Sequence, residues 1–116
     1  LSVLMITSRK TKRWILPKGW PIDGLEANAA AAQEAWEEAG VKAANINPEP
    51  LGSYDYDKRM DGGGIVSCAT QVFAVEVDHL EDSFPEAQER TRKWVKPREA
   101  AEMVDEPGLQ AILKQF

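Results

Sequence analysis

Cysteine and histidine are nearly absent from this sequence, which has one of each among its 116 residues. A single cysteine excludes a disulfide framework within the chain, and we therefore predict a reducing, cytoplasmic location. Cys68 lies among β-forming residues, where a small core side chain is favoured over a catalytic thiol. His79 stands alone in the polar stretch DHLED, which predicts a solvated loop and excludes a His-rich zinc site.

Long hydrophobic runs and an excess of positive charge are also missing. No apolar run approaches the ~20 residues that span a bilayer. The first residues, LSVLMITSRK, read as a strand and lack the features of a signal peptide. The net charge of −5 disfavours a protein that binds a nucleic-acid polymer. We therefore expect neither a membrane nor a nucleic-acid polymer as a partner.

The charges that are present are unevenly distributed along the chain. Basic residues lie on both sides of an acidic segment, namely Arg9, Lys10, Lys12, Arg13 and Lys18 before it and Arg90, Arg92, Lys93, Lys96 and Arg98 after it. Separate acidic and basic blocks in a small domain suit a site that holds a metal ion together with a polyanion. Solvated faces without a function would explain the same pattern equally well.

Propensities and turn residues predict a single domain over residues 1–116, of the α/β class. Strands are predicted at residues 2–7, 12–16, 50–57, 65–77 and 92–96. The segment 65–77 is apolar or small on both faces, which predicts a strand covered on both sides. Helices are predicted at 27–39, ended by Gly40, and after each of two late prolines. This order favours a mixed β-sheet between helical layers.

Three glutamates, Glu34, Glu37 and Glu38, lie at helical spacing within the predicted helix 27–39. Positions i, i+3 and i+4 share one face of a helix, so the three carboxylates would repel one another. A divalent cation relieves this repulsion, and magnesium prefers oxygen ligands of this kind. The helix therefore predicts a magnesium site, with a solvated acidic face as the alternative.

The loop and helix together resemble the Nudix box, G-x5-E-x7-R-E-U-x-E-E-x-G-U, in which U is a bulky aliphatic residue. The residues that match at the family's spacing are Gly19, Glu34, Glu37, Glu38, Gly40 and Val41. The preceding RWILPKG resembles the branch that hydrolyses diphosphoinositol and diadenosine polyphosphates, and Trp94 with the helix after it resembles the family's last strand and helix. The resemblance spans nearly the whole chain and implies a MutT-like hydrolase with an α/β/α sandwich.

Two positions depart from the box, since Leu25 replaces its first glutamate and Gln33 replaces its arginine. In the family these two residues are a structural pair that ties the loop to the helix. Replacing both avoids the unpaired charge that the loss of one would leave. We expect Trp20, Pro21 and Leu25 to anchor the loop through apolar contacts instead. Glu26 is a weaker substitute, because a shift of one residue changes the direction of the side chain.

The resemblance implies that water attacks a phosphate–phosphate bond in a diphosphoinositol polyphosphate or a dinucleoside polyphosphate. It implies that Glu34, Glu37 and Glu38, with the Gly19 carbonyl, bind Mg²⁺, or Mn²⁺ in its place. Glu38 is the residue we expect to help deprotonate the water as well. A monomer or a homodimer is expected, with a small phosphorylated molecule as the substrate.

Further candidates for the site lie outside the box. Glu86 and Glu89, in FPEAQER, are candidates for an additional acid or base. The candidates for phosphate binding are Lys18, Arg9, Arg13, Lys58 and Arg59. The last two lie on a Gly-rich connection that could close over a polyphosphate, and Trp20 is the aromatic residue best placed to stack on a ligand. Each basic residue could equally be a solvated surface charge.

Two other interpretations of the chain remain open at this point. A Nudix-fold binding or regulatory domain without turnover would explain the replacements at Leu25 and Gln33. An unrelated small α/β domain with an acidic surface helix would explain the glutamates alone. Turnover and metal binding distinguish these interpretations from the hydrolase.

Overall fold

The structure, a computed structural model, describes residues 1–116. Its elements, in chain order, are β1 (Val3–Thr7), β2 (Trp14–Ile15), α1 (Ala27–Ala39), β3 (Val41–Ile46), β4 (Gly52–Arg59), β5 (Ile65–Val72), β6 (Val75–Leu80), β7 (Arg92–Val95), α2 (Pro97–Met103) and α3 (Pro107–Gln115). The strands form three small sheets with the orders β2-β1-β7, β3-β6 and β4-β5, and their pairs are antiparallel. The predicted α/β class is confirmed. No helix combines the length and the hydrophobicity needed to cross a membrane.

Strand β1 is the central strand of its three-stranded sheet, and it buries both of its faces. Leu4 and Ile6 pack in one core cluster with Ala35 and Ala39 of α1. Met5, on the opposite face, packs in a second cluster with buried residues of α2 and α3. Successive side chains of a strand point to opposite faces, so one short strand supports both helical layers. Each fully buried large side chain contributes roughly 1.5–3 kcal/mol to folding.

The segment predicted as one strand over 65–77 is divided between two sheets. The chain breaks at Phe73 and Ala74, so that β5 pairs with β4 while β6 pairs with β3. The prediction that this segment is covered on both sides is wrong, because most of β5 is exposed and Ile65 keeps 62% of its surface in solvent. Cys68, expected in the core, is only half-buried on β5.

Two further local predictions differ from the structure. Strand β3 was not predicted, because Val41 is its only buried residue and its side chains therefore carry no alternating apolar pattern. His79, predicted in a loop, lies on β6, although it is exposed as expected. It contacts Asp78 at 2.6 Å and Glu81 at 3.0 Å.

Gly40 ends α1 as predicted, with a φ of 70° that favours glycine. A Cβ at this position would lie 2.6 Å from the carbonyl oxygen of Glu81, so the close approach also requires glycine. Arg92 donates from Nη1 to the carbonyl oxygens of Ala39 at 3.0 Å and Glu81 at 2.8 Å. The end of α1 is therefore fastened to the segment 81–90, which carries several of the candidate site residues.

Candidate active site

A cleft of about 1540 Å³ is lined by residues of α1, the loop before α1, β5 and the segment before β7. Glu34 and Glu38 line it from α1, Lys18 from the loop and Glu86 from the segment before β7. Small-molecule pockets are generally roughly 300–1,000 Å³. The cleft therefore brings acidic and basic candidates together and has room for a large ligand.

Glu38 is a buried carboxyl group on α1, with 4% of its surface exposed. Its pKa is raised to about 8, chiefly by burial and then by a side-chain hydrogen bond with Glu34, while the Arg90 guanidinium acts in the opposite direction. Burial disfavours the charged form of a carboxyl group, and a neighbouring carboxylate does the same. In the absence of a cation, Glu38 therefore keeps its proton at neutral pH.

Gly19 lies directly against the Glu34 carboxylate. A Cβ at position 19 would lie 2.6 Å from Oε1 and 2.7 Å from Oε2 of Glu34. The φ of Gly19 is not among the positive values of the chain, so space rather than backbone conformation requires glycine here. The loop backbone at Gly19 therefore lies in contact with the Glu34 carboxylate.

We expect Gly19→Ala to destabilise the protein by about 1–3 kcal/mol, because the added methyl group must displace either the loop or the Glu34 side chain. The free energy of unfolding in urea measures this effect. Gly64→Ala is the matched control, since a Cβ at Gly64 meets no atom within 4 Å and its φ is not positive. An equal loss in both variants would show that Glu34 does not pack against Gly19.

Arg90 is a buried arginine, with 7% of its side chain exposed, that joins three parts of the site. Its Nη2 lies 2.7 Å from Oε1 of Glu86 and 3.4 Å from Oε1 of Glu38. Its Nε also donates to Glu86, at 3.1 Å, and its Nη1 donates to the carbonyl oxygen of Thr7 at the end of β1, at 3.0 Å. The rigid guanidinium thereby holds Glu86 beside Glu38.

Of the two later acidic candidates, the structure brings Glu86 and not Glu89 into the cleft. The backbone N–H of Glu86 donates to the carbonyl oxygen of Glu37 at 3.0 Å, which attaches this segment to α1. Arg9, which also lines the cleft, lies 3.8 Å from Glu86 and 4.0 Å from Glu89. Half of the Glu89 side chain, 51%, is exposed.

Both lysines that were predicted to bind phosphate line the cleft, and each lies over an aromatic ring. Nζ of Lys18 is 4.1 Å from the ring centroid of Tyr56, and Nζ of Lys58 is 4.8 Å from that of Trp20. Burial lowers the pKa of Lys18, while the Glu106 carboxylate raises it. Both lysines therefore bring an ammonium group to the wall of the cleft.

Three of the other predicted residues do not line the cleft, namely Glu37, Arg13 and Arg59. Glu37 is half-buried, and its backbone carbonyl oxygen accepts the hydrogen bond from the backbone N–H of Glu86. Arg13 instead pairs with Asp105, with Nη1 2.7 Å from Oδ2. Arg59 is exposed at the end of β4. The set of candidates that meets in the cleft is thus smaller than the predicted set.

A magnesium ion fits the Glu34–Glu38 pair as a partial ligand set. No three acidic, histidine or cysteine side chains come close enough together to hold a metal ion by themselves. Magnesium generally binds through one or two carboxylates and completes its octahedron with water and phosphate oxygens. The Glu34 and Glu38 carboxyl groups beside the Gly19 backbone provide such a set, because a bound cation would favour the charged form of Glu38 that burial disfavours.

Sequence reasoning placed Arg90 only within a late basic cluster and did not assign it to the site. One signal was available, because Glu86 and Arg90 are four residues apart, a spacing that brings opposite charges together in a helical turn. The other partners, Thr7 and Glu38, are distant in sequence and depend on the tertiary fold.

The predicted apolar anchor of the loop is wrong. Trp20 is 52% exposed, Leu25 is 45% exposed and Pro21 is exposed as well. The contacts that fix the loop are instead the approach of Gly19 to Glu34 and a backbone hydrogen bond of 3.1 Å from the Leu25 N–H to the Ile22 carbonyl. The exposed Trp20 is, as predicted, available to a ligand.

Comparison with known proteins gives a consistent result over the whole chain. The model of the NUDIX domain family matches residues 2–116. The chain is 34% identical to Nudix hydrolase 13, mitochondrial, of Arabidopsis thaliana, over 100% of this chain and 59% of the relative. It is 31% identical to Nudix hydrolase 12, mitochondrial, of the same organism, over 100% of this chain and 58% of the relative. It is 32% identical to Nudix hydrolase 21, chloroplastic, also of Arabidopsis thaliana, over 100% of this chain and 57% of the relative.

The chain thus spans rather less than two thirds of each of these curated relatives. Their names place two of them in mitochondria and one in chloroplasts, and the cytoplasmic location of this chain stays a prediction. The family model covers almost every residue, and the box residues Gly19, Glu34 and Glu38 meet in one cleft. This chain therefore belongs to the Nudix hydrolase family.

Proposed function

We propose that this chain hydrolyses a phosphate–phosphate bond in a nucleoside- or inositol-linked diphosphate, with Mg²⁺ as its cofactor and Mn²⁺ able to replace it. The observation that carries the proposal is the pairing of Glu34 with the buried Glu38 beside the Gly19 backbone, in a cleft that also presents Lys18. Paired carboxylates favour a divalent cation, and a neighbouring ammonium group favours phosphate. Both features are needed to bind a diphosphate for attack by water.

Glu34 and Glu38, with the Gly19 carbonyl, are the groups we propose to hold the ion. Glu37 would join them only if its side chain turned toward the cleft, which it does not line. When bound, magnesium neutralises phosphate charge and lowers the pKa of water. The remaining contributions come from the side chains around it.

Glu38 is the proposed base. Its carboxylate, buried in the cleft beside Glu34 and Glu86, would take up the proton that the attacking water loses. Water then bonds to one phosphorus, and the bond from that phosphorus to the bridging oxygen breaks. Glu86, held beside Glu38 by Arg90, is the proposed second acid–base group, and Glu89 is the weaker candidate because it lies outside the cleft.

Lys18 is the proposed principal phosphate ligand, because it directly precedes Gly19 and lines the same cleft as the carboxylates. Arg9 and Lys58 also line the cleft and are proposed to contact the outer phosphates. Arg13 and Arg59 lie outside it, and we propose for them only a contribution to long-range attraction of an anionic substrate.

A second candidate function is a Nudix-fold domain that binds a ligand without hydrolysing it. Leu25 and Gln33 favour this alternative, because they replace the two charged residues that tie the loop to the helix in the family. Both functions predict that the ligand binds, but only the hydrolase predicts that it is turned over.

Magnesium-dependent release of phosphate products tests the proposal. We expect turnover of at least one compound among diadenosine polyphosphates, nucleoside diphosphate sugars and diphosphoinositol polyphosphates, and none when EDTA replaces magnesium. Glu34→Gln should lower kcat by about a hundredfold or more, because it removes a charged ligand from the ion. Glu49→Gln is the matched control, since Glu49 is exposed after β3 and has no salt bridge. Ligand binding without turnover of any of these compounds would favour the binding domain.

A further inference from the structure

Strand β4 presents one of its two faces to the cleft. Tyr54, Tyr56 and Lys58 alternate along that face and are buried or half-buried, while the intervening Asp55 and Asp57 are exposed. Successive side chains of a strand point to opposite faces, so the two aromatic rings and the lysine share one side. All three line the cleft, as does the loop before α1.

The ring of Tyr56 is fixed by the core next to it. Its centroid lies 6.2 Å from that of Tyr54, at an interplanar angle of 36°. Tyr54 is buried in the core cluster that includes residues of α2 and α3, and Tyr56 packs against the same cluster. Gly108, at the start of α3, is so close that a Cβ there would lie 2.6 Å from the Tyr54 Cβ. The packing of β4 on α3 therefore sets the position of the Tyr56 ring.

The ammonium group of Lys18 lies over this fixed ring, with Nζ 4.1 Å from the centroid. No carboxylate lies within 4.0 Å of this group. Burial lowers the pKa of Lys18, while the more distant Glu106 carboxylate raises it. The face of an aromatic ring is negative and attracts a cation, so Tyr56 favours the charged form that burial disfavours.

The kind of partner decides how much of a cation remains available to a ligand. Arg9 and Arg90, which also line the cleft, pair with glutamate carboxylates that offset their charge. An aromatic ring carries no net charge, so Lys18 keeps its full charge and its three donors for an anion. Lys58 also lies over a ring, but that ring belongs to Trp20, which is 52% exposed and lies in neither core cluster.

We propose that Tyr56 is a positioning residue for Lys18. Its ring holds the ammonium group at the wall of the cleft, beside the Glu34–Glu38 pair, and leaves the charge of Lys18 free for phosphate. The assignment of a substrate phosphate to Lys18 rests on the proposed hydrolase function. The coupling of Lys18 to Tyr56 requires only that the cleft bind a phosphate group.

Steady-state kinetics of the magnesium-loaded protein test this role with two variants at position 56. Tyr56→Met fills a similar space without an aromatic face and should raise KM about fivefold. The value of kcat should change less than about threefold, because Lys18 contacts the phosphates before the reaction as well as during it. Tyr56→Phe is the matched control, since it keeps the ring, and it should retain the wild-type KM within about twofold. A fivefold rise in Tyr56→Phe, or an unchanged KM in Tyr56→Met, would overturn the proposal.

A double-mutant cycle distinguishes action through Lys18 from a direct contact between Tyr56 and the ligand. Lys18→Met alone should raise KM about tenfold or more, because it removes a charged phosphate ligand. In this background Tyr56→Met should add less than about a twofold change, because no ammonium group remains to be held. A full fivefold effect of Tyr56→Met in the absence of Lys18 would show that the ring does not act through the lysine.

Binding without turnover separates this proposal from the hydrolase. In the Glu38→Gln background with magnesium, calorimetry with inorganic pyrophosphate should give a Kd that Tyr56→Met raises about fivefold and Tyr56→Phe leaves unchanged. If no compound is turned over but this pattern is found, the hydrolase proposal fails and the role of Tyr56 stands. If turnover is found and the pyrophosphate Kd does not respond to Tyr56→Met, the role of Tyr56 is wrong and the hydrolase proposal stands.

Discussion

Glu38→Gln is expected to lower kcat by about 10²–10⁴-fold, the range that the loss of a general base generally produces. The substitution removes a negatively charged ligand of the ion. It also removes the proposed proton acceptor, while it keeps the shape of the side chain. Steady-state kinetics with saturating magnesium measure the effect. Glu49→Gln, the exposed control, should retain wild-type kcat. A Glu38→Gln variant with more than a tenth of the wild-type kcat would contradict the role of Glu38 as the base.

The same substitution should make the metal-free protein more stable at alkaline pH. Glu38 has a folded-state pKa of about 8, raised from 4.5, so between these values the folded state keeps a proton that the unfolded state has released. The free energy of unfolding of the wild type should therefore fall as the pH rises from about 5 to 8. Because glutamine does not titrate, the variant should gain on the order of 2–4 kcal/mol over the wild type across this interval. Urea denaturation in EDTA at pH 5 and pH 8.5 measures the difference, and parallel stability curves would refute the raised pKa.

Arg90→Met is expected to destabilise the metal-free protein by about 3 kcal/mol, because removing one partner leaves the partly buried Glu86 carboxylate without its counter-charge. The variant also loses the hydrogen bond to the Thr7 carbonyl. Glu38 contributes little to the loss, since its pKa of about 8 keeps it largely protonated near pH 7. The loss of stability therefore arises mainly at Glu86, whose Oε1 lies 2.7 Å from Nη2 of Arg90. Urea denaturation near pH 7 gives the difference.

Two further variants test the cause of this loss. Arg59→Met removes an exposed arginine without a salt bridge and should change the free energy of unfolding by less than about 0.5 kcal/mol. Arg90→Lys keeps the charge but cannot reproduce the planar set of donors, so an intermediate loss is expected. A loss in Arg90→Met no larger than that in Arg59→Met would show that the guanidinium does not support the site.

The parts of the site that could be predicted from the sequence are those set by local spacing. Glu34 and Glu38 are one helical turn apart, so any helix over 27–39 places them side by side, and Gly40 at its end follows from the need for a positive φ. Gly19 and Glu34 are both positions of the Nudix box, and their contact agrees with the spacing of that motif. Helical spacing alone could not show that Glu37 stays outside the cleft, because the side-chain direction depends on what packs against α1.

The parts that could not be predicted depend on contacts between distant segments. Arg90 meets Thr7, 83 positions earlier in the chain, and no pattern around either residue indicates that pairing. The break of the segment 65–77 at Phe73 and Ala74 is equally hidden, because apolar residues continue through it. Strand β3 forms through backbone pairing with β6, and its mostly exposed side chains therefore leave no apolar alternation in the sequence.

The attachment of Ala39 to Glu81 by Arg92 has a consequence for the rate of the proposed hydrolysis. A segment with acid–base groups on freely moving backbone would lose conformational entropy each time a substrate ordered it, at roughly 1–2 kcal/mol for each residue fixed. Here the guanidinium of Arg92 ties the start of the segment that carries Glu86 to the end of the helix that carries Glu38. That entropy is therefore lost once, when the chain folds, and the two carboxyl groups are preorganised before any substrate arrives.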